Sequence, residues 1–296
     1  MSAPSALFRF VQVELPWPLG PPDGRYLVRA EDPVPTQPST HAEAAPTHVL
    51  VFATLGAPER RRLAGRRRQR DAEPEPEPAA VATGRATVID VGAPLAQMQA
   101  QAWLAGAGED DLEAGLAVLN RALHAFRIIT TDPYLWPVGR PQALVARLGF
   151  GAGEEVAEGR WTAAKELTVP EGRRRRSRIL APQARLAALL GAREAALASE
   201  ELTLRARSDV DLGRPREAAL QLLVALDAAV AELAADPLAG VLTERLSELR
   251  GQREPVAAAA QAALSGPLSA EHVAAVQFAL GRVEAALRAR AAAAAG

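Results

Sequence analysis

The sequence contains no cysteine, which excludes disulfide bonds, thiolate metal ligands and cysteine nucleophiles. It has only four histidines, and no two of them have the HxH or HExxH spacing of a metal site, so we expect no bound metal. The N-terminus lacks the cationic and apolar segments of a signal peptide. The most apolar stretch, 218–242, is interrupted by Asp227, Glu232 and Asp236, so we expect a cytoplasmic protein with no membrane partner.

The chain also lacks charge of one dominant sign and has almost no lysine. The net charge is −1, whereas a dedicated nucleic-acid-binding protein is usually strongly basic. Lys165 is the only lysine, so arginine supplies 33 of the 34 basic residues. Together with the high alanine content, this bias indicates a GC-rich genome, and an arginine here therefore carries less functional information than usual.

Motifs that hold phosphates or activate nucleophiles are missing as well. The sequence has neither the Gly-x-x-x-x-Gly-Lys-Ser/Thr of a P-loop nor the Gly-x-Ser-x-Gly of a nucleophile elbow. Gly149, Gly151 and Gly153 resemble a dinucleotide loop only superficially, because the third glycine of that motif is absent and a strand is expected to follow. We therefore expect no cofactor.

The first half of the chain has the apolar–polar alternation that is typical of β-strands. We predict a hairpin formed by 8–15 and 25–29, a central strand at 47–53 and a short strand at 87–91. Helices are expected over 95–104 and 109–128, because the second segment repeats leucine at helical spacing after three acidic residues. A second hairpin is expected from 143–150 and 156–167, with the glycines at its turn.

The second half has helical periodicity throughout. Pro182 suits a first helical position, and we predict four helices, over 182–209, 215–235, 236–251 and from 270 into the alanine-rich tail. The fold class is therefore α+β: an N-terminal mixed β-hairpin and helix unit over 1–170, followed by a C-terminal all-α helical bundle over 180–296. Within the first unit, 59–80 combines an arginine-rich run with alternating Glu-Pro, which predicts a disordered loop.

The segment 130–140 is the most unusual patch, because it holds two of only 12 aromatic residues. Tyrosine and tryptophan on a loop are typical anchors for a partner or a ligand, although they can also cover the junction between a helix and a sheet. The following hairpin adds an arginine and a tryptophan. The candidate ligand- or partner-binding residues are Asp132, Tyr134, Trp136, Arg140, Arg160 and Trp161.

Two arginine runs are candidates for phosphate contact, although no aromatic side chain interleaves with them as a stacking platform requires. Their candidate residues are Arg66, Arg67, Arg68, Arg174 and Arg175. The favoured hypothesis is a non-enzymatic interaction or scaffold protein with a protein partner, or one that self-associates through the C-terminal helices. The alternatives are a nucleic-acid-associated accessory protein that uses the arginine runs, and a small-molecule-binding protein or enzyme with a pocket near 130–140.

Overall fold

A computed structural model describes residues 6–29, 45–56, 81–168 and 182–295, with only the backbone of 182–184 and 295. Contacts divide the chain into two compact units, 1–169 and 170–296. The first unit has six strands and three α-helices among its described residues: β1 Leu7–Leu15, β2 Gly24–Val28, β3 His48–Leu55, β4 Thr83–Asp90, α1 Gln97–Gly106, α2 Glu109–Thr130, β5 Val145–Ala152, α3 Gly153–Ala157 and β6 Ala163–Glu166.

The six strands form one antiparallel sheet in the order β2-β3-β4-β1-β5-β6. The α+β prediction is thus confirmed. The predicted pairing of the first two strands is wrong, because β2 pairs with β3 while β1 lies between β4 and β5. Strand β1 is paired with a neighbouring strand on each side, whereas β2 is an edge strand whose middle residues are exposed.

Side chains alternate between the two faces of the sheet along β1, and each face carries its own cluster of apolar residues. Val13 and Leu15 point to the face covered by α2, where they pack with Leu112, Leu116 and Leu119 of that helix. The helix approaches β1 closely at Gly115, because a Cβ atom there would lie 2.6 Å from the Cβ of Val11. On the opposite face, Phe10 of β1 packs with Ile89 of β4, Val156 of α3 and Trp161.

The predicted second hairpin is correct in its strand pairing and wrong in its turn. Strands β5 and β6 pair antiparallel, but Gly149 and Gly151 lie inside β5 and the connection contains the short helix α3. Both glycines are required by packing: a Cβ atom would lie 2.5 Å from the ring of Phe10 at Gly149 and 2.9 Å from Val156 at Gly151.

The second unit contains five described helices: α4 Pro182–Leu190, α5 Ala198–Asp211, α6 Pro215–Ala235, α7 Thr243–Ser265 and α8 Ala270–Ala295. Two of the four predicted helices are wrong in their extent. The segment 182–209 contains a break at 191–197, and Asp236 begins a series of turns instead of a helix. Helix α7 also continues through Gly251, where an added Cβ atom would meet nothing within 4 Å, so this glycine does not end the helix.

Helices α5 to α8 pack around one alanine- and leucine-rich core. By length and composition, helix α6 is apolar enough to cross a membrane. Its most apolar 18 residues have a mean hydropathy of 1.7, and 39% of this stretch is buried. In this structure, Leu222, Leu226 and Leu233 of α6 are fully buried in the helical core. A core helix of a helical bundle passes the same test of length and composition.

Candidate functional site

The chain reverses direction at the end of α2. Thr131 has a left-handed conformation with φ 52°, and its amide donates to the carbonyls of Arg127 and Ile128, which closes the last turn of the helix. The Asp132 carboxylate then accepts a hydrogen bond of 2.9 Å from the amide of Tyr134. Asp132 therefore shapes the turn through its own backbone, as an Asx-turn residue does.

Buried hydrogen bonds fix the far end of this loop. Asn120 of α2 exchanges two hydrogen bonds with the backbone of Val138, of 2.8 and 2.9 Å. Arg140 donates to the carbonyl oxygens of Leu167 and Ala143, which ties the loop to the chain following β6. Arg140 thus serves the fold here, because its guanidinium binds backbone carbonyls.

In the last turn of α2 and between these two anchors, the chain exposes large apolar side chains. Ile128 is 52% exposed, Ile129 76%, Tyr134 81% and Trp136 59%. The guanidinium carbon of Arg127 lies 5.7 Å from the ring centroid of Trp136, which places that ring against the last turn of α2. We call these four exposed side chains, Ile128, Ile129, Tyr134 and Trp136, the aromatic loop patch.

The other two predicted site residues lie in different surroundings. Trp161 packs against Phe10 with a centroid distance of 5.7 Å, and the guanidinium carbon of Arg147 lies 4.7 Å from its ring centroid. Arg160 is largely exposed and pairs with Glu158, two residues before it. Because Trp161 covers the sheet and Arg160 forms a local ion pair, the sequence candidates do not form one site.

Arg147 was missed at the sequence level, although it organises the polar contacts beside Trp161. Its guanidinium donates to Gln12 at 2.5 Å and to Glu166 at 2.6 Å. Gln12 is fully buried and donates in turn to the hydroxyl of Thr87 at 2.9 Å. The register pairs Gln12 with both Thr87 and Arg147, and Arg147 with Glu166, so these contacts run across four neighbouring strands. A polar residue inside an apolar strand was the available signal.

A second constellation that sequence reasoning missed lies between the sheet and the two longer helices. The register of β3, β4 and β1 places His48 opposite Asp90 and Asp90 beside Arg9, which forms an ion pair with it. The helices contribute Trp103 and Asp111, whose side chains are joined by a hydrogen bond of 3.2 Å. These five residues line an open pocket of about 170 Å³, which we call the polar pocket.

The environment of His48 disfavours its charged form. Partial burial lowers the pKa of the imidazole from its ordinary value of 6.5, and the nearby Arg121 and Arg9 act in the same direction, while Asp90 opposes them. His48 could not be singled out from the sequence, since its position opposite Asp90 depends on strand pairing. Among the residues that the structure describes, no three histidine or carboxylate side chains are grouped to hold a metal ion.

The remaining predicted residues, Arg66, Arg67, Arg68, Arg174 and Arg175, lie outside the described residues, as does the segment 59–80. The described pockets are lined by residues other than those of the 130–140 segment. No protein-family model, curated protein or solved structure matches this chain.

Proposed function

We propose that the protein is a non-enzymatic interaction protein that binds a protein partner through the aromatic loop patch. One observation carries this proposal: four large apolar side chains, each more than half exposed, lie within nine residues of chain, 128–136. Exposed apolar residues scattered singly are common on proteins, whereas four of them in one short segment are not of that kind. Tyrosine, tryptophan and arginine are also the residues that contribute most to binding energy at protein interfaces.

The stiffness of the loop supports the same proposal. Binding costs less conformational entropy when the contacting side chains are held in place before the partner arrives. Here the loop is held by Thr131 and Asp132 at its beginning and by the Asn120–Val138 hydrogen bonds at its end. The backbone that carries Tyr134 and Trp136 is therefore held at both ends before contact.

The arginine next to the patch indicates the chemistry of the partner. Arg127 stacks on Trp136, which places its positive charge beside the exposed apolar side chains. A protein segment with apolar side chains and a carboxylate at its rim complements this arrangement, because the carboxylate can pair with Arg127. We infer a partner surface of that kind.

Self-association through the C-terminal helices is a second proposal, and a different observation favours it. Helix α6 exposes Leu220 and Val224, by 39% and 56%, one turn apart on the same face. Asp227 continues this face and pairs with Arg253 of α7 at 2.8 Å. A second copy of the chain can cover this apolar ridge, since an antiparallel pair of α6 helices brings the same residues together.

The partner proposal is tested by site-specific photocrosslinking in cells. A photoreactive phenylalanine analogue at Tyr134 is expected to crosslink one protein species in near-stoichiometric yield. The matched control carries the analogue at Met98 on α1, which is also 81% exposed and lies outside the patch. The crosslinked species is expected to disappear when Trp136→Ser and Ile129→Ser are added.

Equal crosslinking from Tyr134 and Met98 would contradict the proposal, because it would show contact without a preferred surface. A crosslink that is lost on nuclease treatment would instead favour the nucleic-acid alternative. That alternative rests on arginine runs outside the described residues, and its own signature is an affinity that falls steeply with salt concentration.

A further inference from the structure

We propose that residues 182–194, which comprise α4 and the turn after it, form a strap that two ion pairs hold on the bundle of α5 to α8 and that opens while this bundle stays folded. We call this segment the strap. It is separate from the aromatic loop patch and from the apolar ridge of α6, and its opening depends on neither of the interactions proposed for them.

The strap adds no apolar packing to the core of the bundle. Helices α5 to α8 each contribute buried alanine, leucine or valine side chains to that core, whereas no side chain of 185–194 belongs to it or packs against it. Leu186 and Leu190 lie one turn apart on α4 and are 55% and 80% exposed. Burial of apolar surface therefore contributes little to the docking of the strap.

The first ion pair joins α4 to α5. Arg185 Nη2 donates to both carboxylate oxygens of Glu200, at 2.6 and 2.8 Å. The Leu197 amide donates to the same carboxylate at 3.0 Å, so the beginning of α5 holds Glu200 in place. Burial acts to lower the pKa of Arg185, but its hydrogen bonds with Glu200 and Glu194 outweigh burial and raise that pKa above its ordinary value. These bonds therefore favour the docked strap.

The second ion pair joins the end of the strap to α8. Glu194 accepts a hydrogen bond of 3.0 Å from Arg185 within the strap, and it lies 3.6 Å from Arg290 of α8. The side chains of the two pairs are 13% to 31% exposed, so water and salt reach them. Ion pairs of this kind contribute little to stability and weaken as the salt concentration rises. The strap is therefore docked weakly, and its docking depends on salt.

A hinge follows the strap directly. Residues 195–196 are exposed and lie outside any helix. Immediately after them, Glu232 of α6 accepts hydrogen bonds of 2.9 and 3.0 Å from the amides of Ala198 and Ser199. The beginning of α5 is thus fixed to α6 without help from the strap, so backbone rotation at 195–196 opens the strap and leaves α5 to α8 packed.

The length of α4 makes this opening measurable. The helix has nine residues, and isolated helices shorter than about 12 to 15 residues are marginal in water. An opened strap therefore loses its helical hydrogen bonds, and its amides exchange with solvent. Exchange of these amides then reports local opening, whereas exchange of buried α6 amides reports unfolding of the bundle.

The test is hydrogen exchange of the full-length protein at low and at high salt concentration. The amides of 186–190 are expected to exchange about threefold faster or more when sodium chloride is raised from about 0.02 M to about 0.5 M, because the ion pairs are screened. The buried α6 amides are expected to keep their protection. Strap amides that exchange as slowly as those of α6, or that have no protection at low salt, would overturn the proposal.

Two glutamine variants separate the ion pair from a general effect of charge. Arg185→Gln removes the charge that faces Glu200, and Arg193→Gln makes the same change at an exposed position of the strap outside both ion pairs. Arg185→Gln is expected to accelerate exchange of 186–190 by about fivefold or more and to reduce the salt effect, whereas Arg193→Gln changes neither. Glu200→Gln keeps an acceptor for the Leu197 amide and is expected to match Arg185→Gln. Equal exchange in Arg185→Gln and Arg193→Gln would overturn the proposal.

Discussion

Asn120 and Val138 are joined by a reciprocal pair of hydrogen bonds: the Val138 amide donates to Asn120 Oδ1 at 2.8 Å, and Asn120 Nδ2 donates to the Val138 carbonyl at 2.9 Å. Both residues are buried. The side-chain amide thus satisfies a backbone amide and a carbonyl that water does not reach. This pair fixes the end of the aromatic loop patch to α2.

We predict that Asn120→Ala lowers the free energy of unfolding by about 3 kcal/mol, because it leaves one buried donor and one buried acceptor unsatisfied. The measurement is equilibrium denaturation, together with hydrogen exchange of the Val138 amide. The control is Gln142→Ala, which removes an exposed side chain that accepts from Gly139 at 2.6 Å. Because water can replace that bond, a cost close to that of Asn120→Ala would contradict the prediction.

The contact of Gly115 with Val11 leads to a second prediction. A Cβ atom at Gly115 would lie within 2.7 Å of three side-chain atoms of Val11, so Gly115→Ala must displace α2 from β1. We expect a loss of about 1 to 3 kcal/mol in the free energy of unfolding, which is typical of overpacking. Val11→Ala is expected to recover much of this loss in the double variant, and a simple sum of the two single costs would refute the steric cause.

Gly281 of α8 provides the matched comparison, because a Cβ atom there meets nothing within 4 Å. Gly281→Ala is expected to stabilise the protein by about 0.5 to 1 kcal/mol, since alanine has the higher helix propensity. Hydrogen exchange of amides in α2 and α8 assigns each effect to its own unit.

The sequence predicts elements better than it predicts their partners. Each of the six strands overlaps a predicted one, because each carries enough apolar residues to be recognised locally. The pairing of β1 with β4 and β5 depends on contacts between residues that are distant in the chain, and local turn signals favoured the neighbouring β2 instead. The continuation of α7 through Gly251 and Pro255 shows the same limit, because packing of Leu249 and Val256 in the core overrides local helix-breaking residues.

The candidate functional residues show the same difference between local signals and contacts that are distant in the chain. Tyr134 and Trp136 were identifiable from their type and their position on a loop, and both are exposed. The polar pocket was not identifiable, since Arg9, His48 and Asp90 come from three strands separated by long stretches of chain. Only the strand register places them side by side, and no spacing motif records it.

The apolar ridge of α6 yields a prediction about oligomeric state. Val224→Asp places a charge on the exposed face without touching the buried core, so it is expected to weaken self-association by about tenfold while folding is retained. Sedimentation equilibrium over a range of protein concentrations measures the association constant. Ala274→Asp, which makes the same change at an exposed position of α8, serves as the control. A wild-type protein that is monomeric at every concentration would rule out this surface.

The ion pair of Asp236 with Arg290 makes the stability of the helical unit depend on pH. Arg290 donates to Asp236 at 2.6 Å, and the Leu238 amide donates to the same carboxylate at 2.8 Å. These hydrogen bonds hold the pKa of Asp236 below its ordinary value of 3.8, with that from Arg290 as the larger cause. Because the carboxylate is more acidic in the folded state than in the unfolded state, its stabilisation is complete above about pH 4 to 5 and is lost as the pH falls through the folded pKa.

We therefore expect Asp236→Asn to lower the free energy of unfolding by about 2 kcal/mol at neutral pH, since a charge-assisted hydrogen bond is lost. The difference between the wild type and this variant is expected to shrink as the pH falls below about 4, where the unfolded carboxyl takes up its proton. Urea denaturation at a series of pH values measures this difference directly. Asp227→Asn is the control, because the Asp227–Arg253 pair is exposed and is expected to contribute less than about 1 kcal/mol. A difference between wild type and Asp236→Asn that stays constant down to about pH 2 would show that the charge of Asp236 does not cause the effect.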